Sequence, residues 1–208
     1  LLKKNMKKIL VTQRMYKDKL TKEHRDTIDV NLSKFIIESR LLPIIVPNFL
    51  SKFSKKNFDN YLKSVKPDGL LLSGGEDFGI NKFRDLTELK LLKHFTVKKL
   101  PIIGICRGML LLSKFFGAKL GKIYGHVRTR HECITLTKDK LFPKSINSYH
   151  NFNVKNCPKN FYITVKSKDD SIEGIKHKKF NWEGWMWHPE REKKFNFNSK
   201  KRLFKIFN

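Results

Sequence analysis

Acidic residues are scarce in this chain. Only 19 Asp and Glu stand against 45 Lys and Arg, a formal net charge of +26. Cysteine is scarcer still, with three in 208 residues and none in C-x-x-C spacing. The odd count excludes a fully paired disulfide framework, and the spacing speaks against a cysteine zinc site. Three free thiols suit a reducing, cytoplasmic compartment. Long apolar runs are absent too, because lysine breaks each one well short of the roughly 18 residues a membrane span needs. The opening LLKKNMKKIL lacks the apolar stretch of a signal peptide. Met6 reads as a candidate start, with residues 1–5 a disordered extension. Internal repeats and linker-like tracts are also missing, so residues 1–208 read as a single domain.

What is present is a core. Hydrophobic residues make up 39% of the chain and include 17 Phe, which argues against disorder despite the charge. The positive balance has two readings. A basic face releases counterions from phosphates, the signature of a nucleic-acid binder. Here, however, the lysines are scattered with no long basic run, and Lys, Asn, Phe and Ile share codons rich in A and T. The compositional reading is preferred. A positive surface still favours an anionic substrate.

In the first half, short apolar strands alternate with helical periodicity. The pattern predicts strands at Ile9–Thr12, LLPIIVP, DGLLLSGG and PIIGI. Helices are predicted over 24–40 (Ile28, Leu32, Phe35 and Ile36 on one face), 56–65, 85–99 and 107–116. Near-continuous aliphatic strands alternating with helices point to a parallel sheet covered on both faces. Shorter and more polar strands follow at ECITLT, FNVKN and FYITVKS, expected to be antiparallel. A helix over 199–207 ends the chain.

Three segments carry chemistry. Gly104-Ile105-Cys106-Arg107-Gly108 sits where a buried strand meets a helix, in the form of a nucleophile elbow. Glycines are needed on both sides of so tight a turn, and a helix N-terminus favours a thiolate. Set against this is a plain core cysteine between packing glycines. In WHPE, His188 has Glu190 two residues on, a carboxylate able to fix its tautomer; a surface pair is the simpler reading. Ser73-Gly74-Gly75 follows a buried strand on the same sheet edge, where glycine amides can face an oxyanion, with the Arg107 amide as second donor. The simpler reading is an ordinary turn.

In this order and spacing, SGG, GICRGM and WHPE resemble the class I glutamine amidotransferases. PDGLLLSGGED, LPIIGICRG, INSYHNFNVK, DDSIEGI and WMWHPE look more like their gamma-glutamyl hydrolase branch, and the likeness covers nearly the whole chain. It implies an α/β fold, a flavodoxin-like three-layer αβα sandwich. Its mostly parallel central sheet would carry a smaller antiparallel segment. It implies a Cys106–His188–Glu190 triad and an oxyanion hole from Gly75 and Arg107. Gly74 and His150 are expected to contact substrate. No metal and no organic cofactor is expected.

One position departs from the pattern: Leu110 stands where many glutaminases of this class carry Gln, which counts against free glutamine as substrate. His126 and His131 are expected to be surface or supporting residues, and Arg128 and Arg130 part of a solvated loop. Trp182, Trp185 and Trp187 are expected in the core or pocket walls. The activity implied is hydrolysis of a gamma-glutamyl amide through a thioester. Similarity within the branch extends to the gamma-glutamyl-CDP-amidate hydrolases of capsular phosphoramidate synthesis. The alternatives are a glutaminase subunit feeding a separate synthetase partner and, from another class, a non-catalytic basic protein that binds nucleic acid.

Overall fold

The structure, a computed structural model, describes residues 6–208, so the expected extension at 1–5 lies outside the described residues. The chain order begins β1 (Lys7–Val11), β2 (Arg14–Lys17), β3 (His24–Thr27), α1 (Val30–Glu38), β4 (Leu41–Ile45) and α2 (Lys55–Val65). It continues with β5 (Gly69–Leu72), α3 (Lys82–Val97), β6 (Ile102–Ile105) and α4 (Arg107–Phe115). The second half adds β7 (Leu120–Lys122), β8 (Val127–Thr135), β9 (Ser145–Tyr149), β10 (Phe152–Val154), β11 (Phe161–Ser167), β12 (Ile172–His177), β13 (Trp182–Trp185) and α5 (Phe197–Phe207).

A nine-stranded mixed sheet, flanked by helices, runs in the order β4-β1-β5-β6-β13-β12-β11-β8-β9. The strands from β4 to β13 pair in parallel. From β13 outward every pairing is antiparallel. The antiparallel arm is therefore as extensive as the parallel half rather than a minor annex. Its strands at Ser145–Tyr149, Ile172–His177 and Trp182–Trp185 carry no strong period-two pattern, because they are buried on both faces over most of their length. Among the described residues, no helix is long and apolar enough to cross a membrane.

The parallel strands form where the sequence is aliphatic: every residue of β5 and β6 is buried. In register, Leu72 lies opposite Gly104, and Ile105 opposite Trp185. The carboxyl ends of β5, β6 and β13 thus sit side by side, where open α/β sheets place ligands. The segments that follow them carry Ser73–Gly75, Cys106 and His188.

One expectation is corrected. The helix predicted from residue 24 starts only at Val30, where the Asp29 side chain accepts from the Asn31 amide as an N-cap. Residues 24–27 instead pair with 14–17 in a two-stranded hairpin. Their side chains are largely exposed and offer no apolar face for a helix to bury. Asn48, fully buried, pins this hairpin. Its amide nitrogen donates to Asp26 Oδ1 at 2.8 Å and to the Gln13 carbonyl at 3.2 Å, and its backbone N–H donates to Asp26 Oδ2 at 2.9 Å.

Replacing Asn48 with Ala strands these partners and should cost about 1–3 kcal/mol. Amide exchange should then speed up across residues 14–27 more than in the parallel strands. Unchanged protection in the hairpin would contradict the anchoring role.

Candidate active site

Cys106 is the residue between β6 and α4, and its backbone is strained: φ is 50° and ψ −107°. Positive φ in a residue with a side chain is uncommon and marks a functional bend more often than a plain turn. Crowding explains the flanking glycines. A Cβ on Gly104 would press into the backbone of Gly108 and Met109, and one on Gly108 into the Leu72 carbonyl. The Cys106 amide is spent on the Trp185 carbonyl at 2.7 Å, which ties the bend to β13. The thiol is 6% exposed.

His188 follows β13 and is held from two sides. Asn147 on β9 accepts from the His188 amide at 2.8 Å and donates from Nδ2 to the His188 carbonyl at 2.8 Å. On the imidazole, Nδ1 contacts Glu190 Oε1 at 2.6 Å. Glu190 lies in a short 3-10 turn opened by Pro189. This places Nε2 as the free ring nitrogen, and the thiol is its neighbour: each group shifts the titration of the other through charge and a hydrogen bond. Gly74 makes room for the ring, since a Cβ there would stand 2.6 Å from His188 Cε1.

The electrostatics favour charge separation. Burial raises the Cys106 thiol, but the His188 charge and hydrogen bond, with help from the His150 charge and the Arg107 amide, outweigh it and leave the thiol below its ordinary value. Burial lowers His188, but the Glu190 carboxylate and then Cys106 carry it up to about 9. Thiolate and imidazolium are the forms that this surrounding supports. The other two thiols are inert by comparison: burial and the Glu173 charge push Cys133 up to about 12, and burial raises Cys157.

The Ser73–Gly75 loop is positioned by a buried ion network. Arg84 on α3, fully buried, donates to the Ser73 carbonyl at 3.0 Å and the Gly74 carbonyl at 2.9 Å. It also pairs with Glu88 at 3.0 Å and Glu76 at 2.7 Å. Glu88 accepts from Thr12 at 2.9 Å and pairs with Arg107, whose guanidinium also meets Asp85. Gly75, at φ 147°, is packed against Arg84 and Arg14. The Arg107 side chain therefore points into this network, while its backbone amide lies at the N-terminus of α4 beside the thiol.

Cys106, His188, Glu190, Gly74, Gly75 and Arg107 are thus brought together at one sheet edge. His150, in the turn between β9 and β10, is close enough to affect Cys106 by charge and is buried rather than a surface loop residue. His126 is also buried, against the expectation of a surface position, because Asp169 and Ser148 give its polar atoms partners inside. Arg130 pairs with Glu192 on the surface at 2.7 Å, and Leu110 packs into the core. The three tryptophans are buried, with Trp185 and Trp187 stacked at 5.5 Å.

The sequence reading missed Asn147, Arg84 and Glu88. Only the Arg84–Glu88 spacing of i,i+4 offered a signal, and on a helix such spacing usually marks a surface pair.

A profile of the family described as "Glutamine amidotransferase class-I" matches residues 21–204. The chain belongs to that family. It is an enzyme of the kind that acts on amide C–N bonds. Among named relatives, a gamma-glutamyl-CDP-amidate hydrolase of Campylobacter jejuni is 30% identical over 192 residues, 89% of this chain and 91% of the relative. The glutamine-hydrolyzing subunit of a GMP synthase from Thermococcus kodakarensis is 31% identical over 134 residues, 62% of this chain and 69% of the relative. Among solved structures, a Thermoplasma acidophilum protein superposes with TM-score 0.72 at 22% identity, covering 97% of this chain and 94% of that one. A glutamine amidotransferase of Thermotoga maritima gives 0.64 at 14%, covering 97% and 82%. At those identities the structures speak to the fold.

Replacing Arg84 with Met removes one charge from a buried network and should destabilise the protein by about 3–5 kcal/mol in urea denaturation. A cost below about 1 kcal/mol would mean that the network does not hold the loop.

Proposed function

We propose that this amidotransferase-family enzyme hydrolyses a gamma-glutamyl amide, with Cys106 as nucleophile, His188 as acid and base, and Glu190 as its orienter. The observation that carries this reading is the strained elbow at Cys106 facing an imidazole locked to a carboxylate at 2.6 Å. The thiolate attacks the gamma-carbonyl carbon. The oxyanion that forms is met by the backbone amides of Gly75 and Arg107, each such donor worth about 3 kcal/mol. The His188 imidazolium gives its Nε2 proton to the leaving nitrogen, the C–N bond breaks, and a thioester remains. Neutral His188 then takes a proton from water as the water oxygen attacks the thioester. Collapse releases glutamate and restores thiolate and imidazolium. No step needs a metal or an organic cofactor.

The preferred substrate is gamma-glutamyl-CDP-amidate, whose leaving nitrogen is attached to phosphorus. Two features support it. The hydrolase relative aligns over 192 residues, whereas the GMP synthase relative aligns over 134. A narrow crevice beside Gly74 and His188 is bordered by Arg14 and Arg191, cations suited to a nucleotide diphosphate. The alternative, ammonia delivery to a synthetase partner, is favoured by the GMP synthase likeness, but the apolar Leu110 speaks against it. Three free thiols suit a cytoplasmic setting.

Turnover should vanish in Cys106→Ala while the fold persists by circular dichroism; wild-type rates in that variant would overturn the nucleophile assignment. Among glutamine, gamma-glutamyl-aminobutyrate and gamma-glutamyl-CDP-amidate, the last should give the highest kcat/KM. Equal and poor rates on all three would overturn the substrate preference.

The pH dependence has a definite sign. Activity should rise as the thiol loses its proton, at a pH below the ordinary thiol value, and fall as His188 deprotonates near pH 9. Because the folded value of His188 lies above its unfolded 6.5, protonation of His188 favours the fold. That stabilisation is complete below about pH 6.5 and disappears as pH rises through about 9. A rate that keeps rising above pH 10 would contradict the assignment of His188 as the acid.

A further inference from the structure

A second cluster lies beside the thiol and takes no part in the reaction above. His126, His150 and Glu173 are all buried, and one ligand atom from each lies within 4.8 Å of the other two. Among the described residues, neither carboxylate oxygen of Glu173 has a hydrogen-bond donor, nor does His150 Nε2 have a partner. Leaving a fully buried carboxylate without donors is costly, so a positive group belongs there.

The partners behind the histidines fix where their lone pairs face. His150 Nδ1 donates to the Phe152 carbonyl at 2.9 Å, which leaves the Nε2 lone pair facing Glu173 Oε2 at 3.7 Å. His126 Nε2 donates to Asp169 Oδ2 at 2.8 Å, which leaves the Nδ1 lone pair facing Glu173 Oε1 at 3.5 Å. Both separations exceed a hydrogen bond. They approach the roughly 3.3–3.4 Å between two donors that each sit about 2.0–2.1 Å from one tetrahedral ion. Histidines that donate their second nitrogen to a backbone carbonyl or a carboxylate are arranged as metal ligands usually are.

We propose that His126 Nδ1, His150 Nε2 and the Glu173 carboxylate bind one divalent transition-metal ion of the zinc class. Two imidazoles and a carboxylate suit Zn2+ and Co2+ rather than Mg2+ or Ca2+. Three protein ligands leave a fourth position for water or a ligand oxygen. Asp169, itself held by Ser167 and Ser171, orients His126 from behind. No cysteine takes part, so the absence of C-x-x-C spacing is no obstacle. His131 stacks on His126 at 4.1 Å between ring centroids and stays outside the ligand set.

The test uses the full chain, stripped with chelator and titrated with Co2+ in the presence and absence of Zn2+. One equivalent of Co2+ should give the visible d–d absorption of a tetrahedral site, bleached by Zn2+. Cys106→Ala should retain the spectrum, which separates this site from metal captured by the thiol. Glu173→Gln and His150→Gln should abolish it. Asp169→Asn keeps all three ligands and should weaken binding about 10–100-fold. Should the ligand variants fail to fold by circular dichroism, the wild type and Asp169→Asn decide alone. Folded wild type that binds no equivalent of Co2+ or Zn2+, or a spectrum that persists in folded Glu173→Gln or is lost in Cys106→Ala, would overturn the proposal.

Discussion

Everything at the candidate site depends on one pairing: a thiol and an imidazole placed together where water is nearly excluded. Burial alone would keep both neutral and make the thiol a poor nucleophile. The nearby opposite charges reverse that outcome, lowering Cys106 and raising His188 to about 9. Such a pair survives only if neither partner can turn away. The fold meets this need with backbone ties on both sides, from the Trp185 carbonyl to the Cys106 amide and from Asn147 to the backbone of His188.

The architecture supplies these ties because β5, β6 and β13 are neighbours in one parallel register. Three strands that end together deliver a glycine loop, a strained cysteine and a histidine to a single edge. The antiparallel arm continues from β13, and Asn147 comes from its outermost strand, β9. Beneath the loop, the Arg84–Glu88–Arg107 network is fully or nearly buried. Its cost in desolvation is offset by carbonyls, carboxylates and a hydroxyl that satisfy most of its donors. What it secures is the orientation of the loop, so its role is positioning.

Sequence and structure agree where a residue's role is steric and local. Gly104 and Gly108 were legible because a bend around Cys106 admits no side chains beside it. The aliphatic strands and the helix from Arg107 were legible because burial on all sides leaves a continuous apolar run. The pairing of His188 with Glu190 was legible from two positions separated by a proline. The β2–β3 hairpin was not, because its strands are polar on both faces and its stability comes from Asn48, more than 20 residues on. Nor were Asn147, Arg84 or the burial of His126, since each depends on partners distant in sequence. Family likeness carried the reading from chemistry to substrate class, which no single motif could do.

The most direct test of the central pairing is the pH dependence of Cys106 alkylation by iodoacetamide, in the wild type and in His188→Gln. Cys133 and Cys157 lie above the ordinary thiol range and should stay silent at neutral pH. The account predicts a wild-type midpoint below the ordinary thiol value, and a shift upward past that value in the variant, where burial acts unopposed. Identical profiles in the two proteins, or a wild-type midpoint at or above an ordinary thiol, would contradict it.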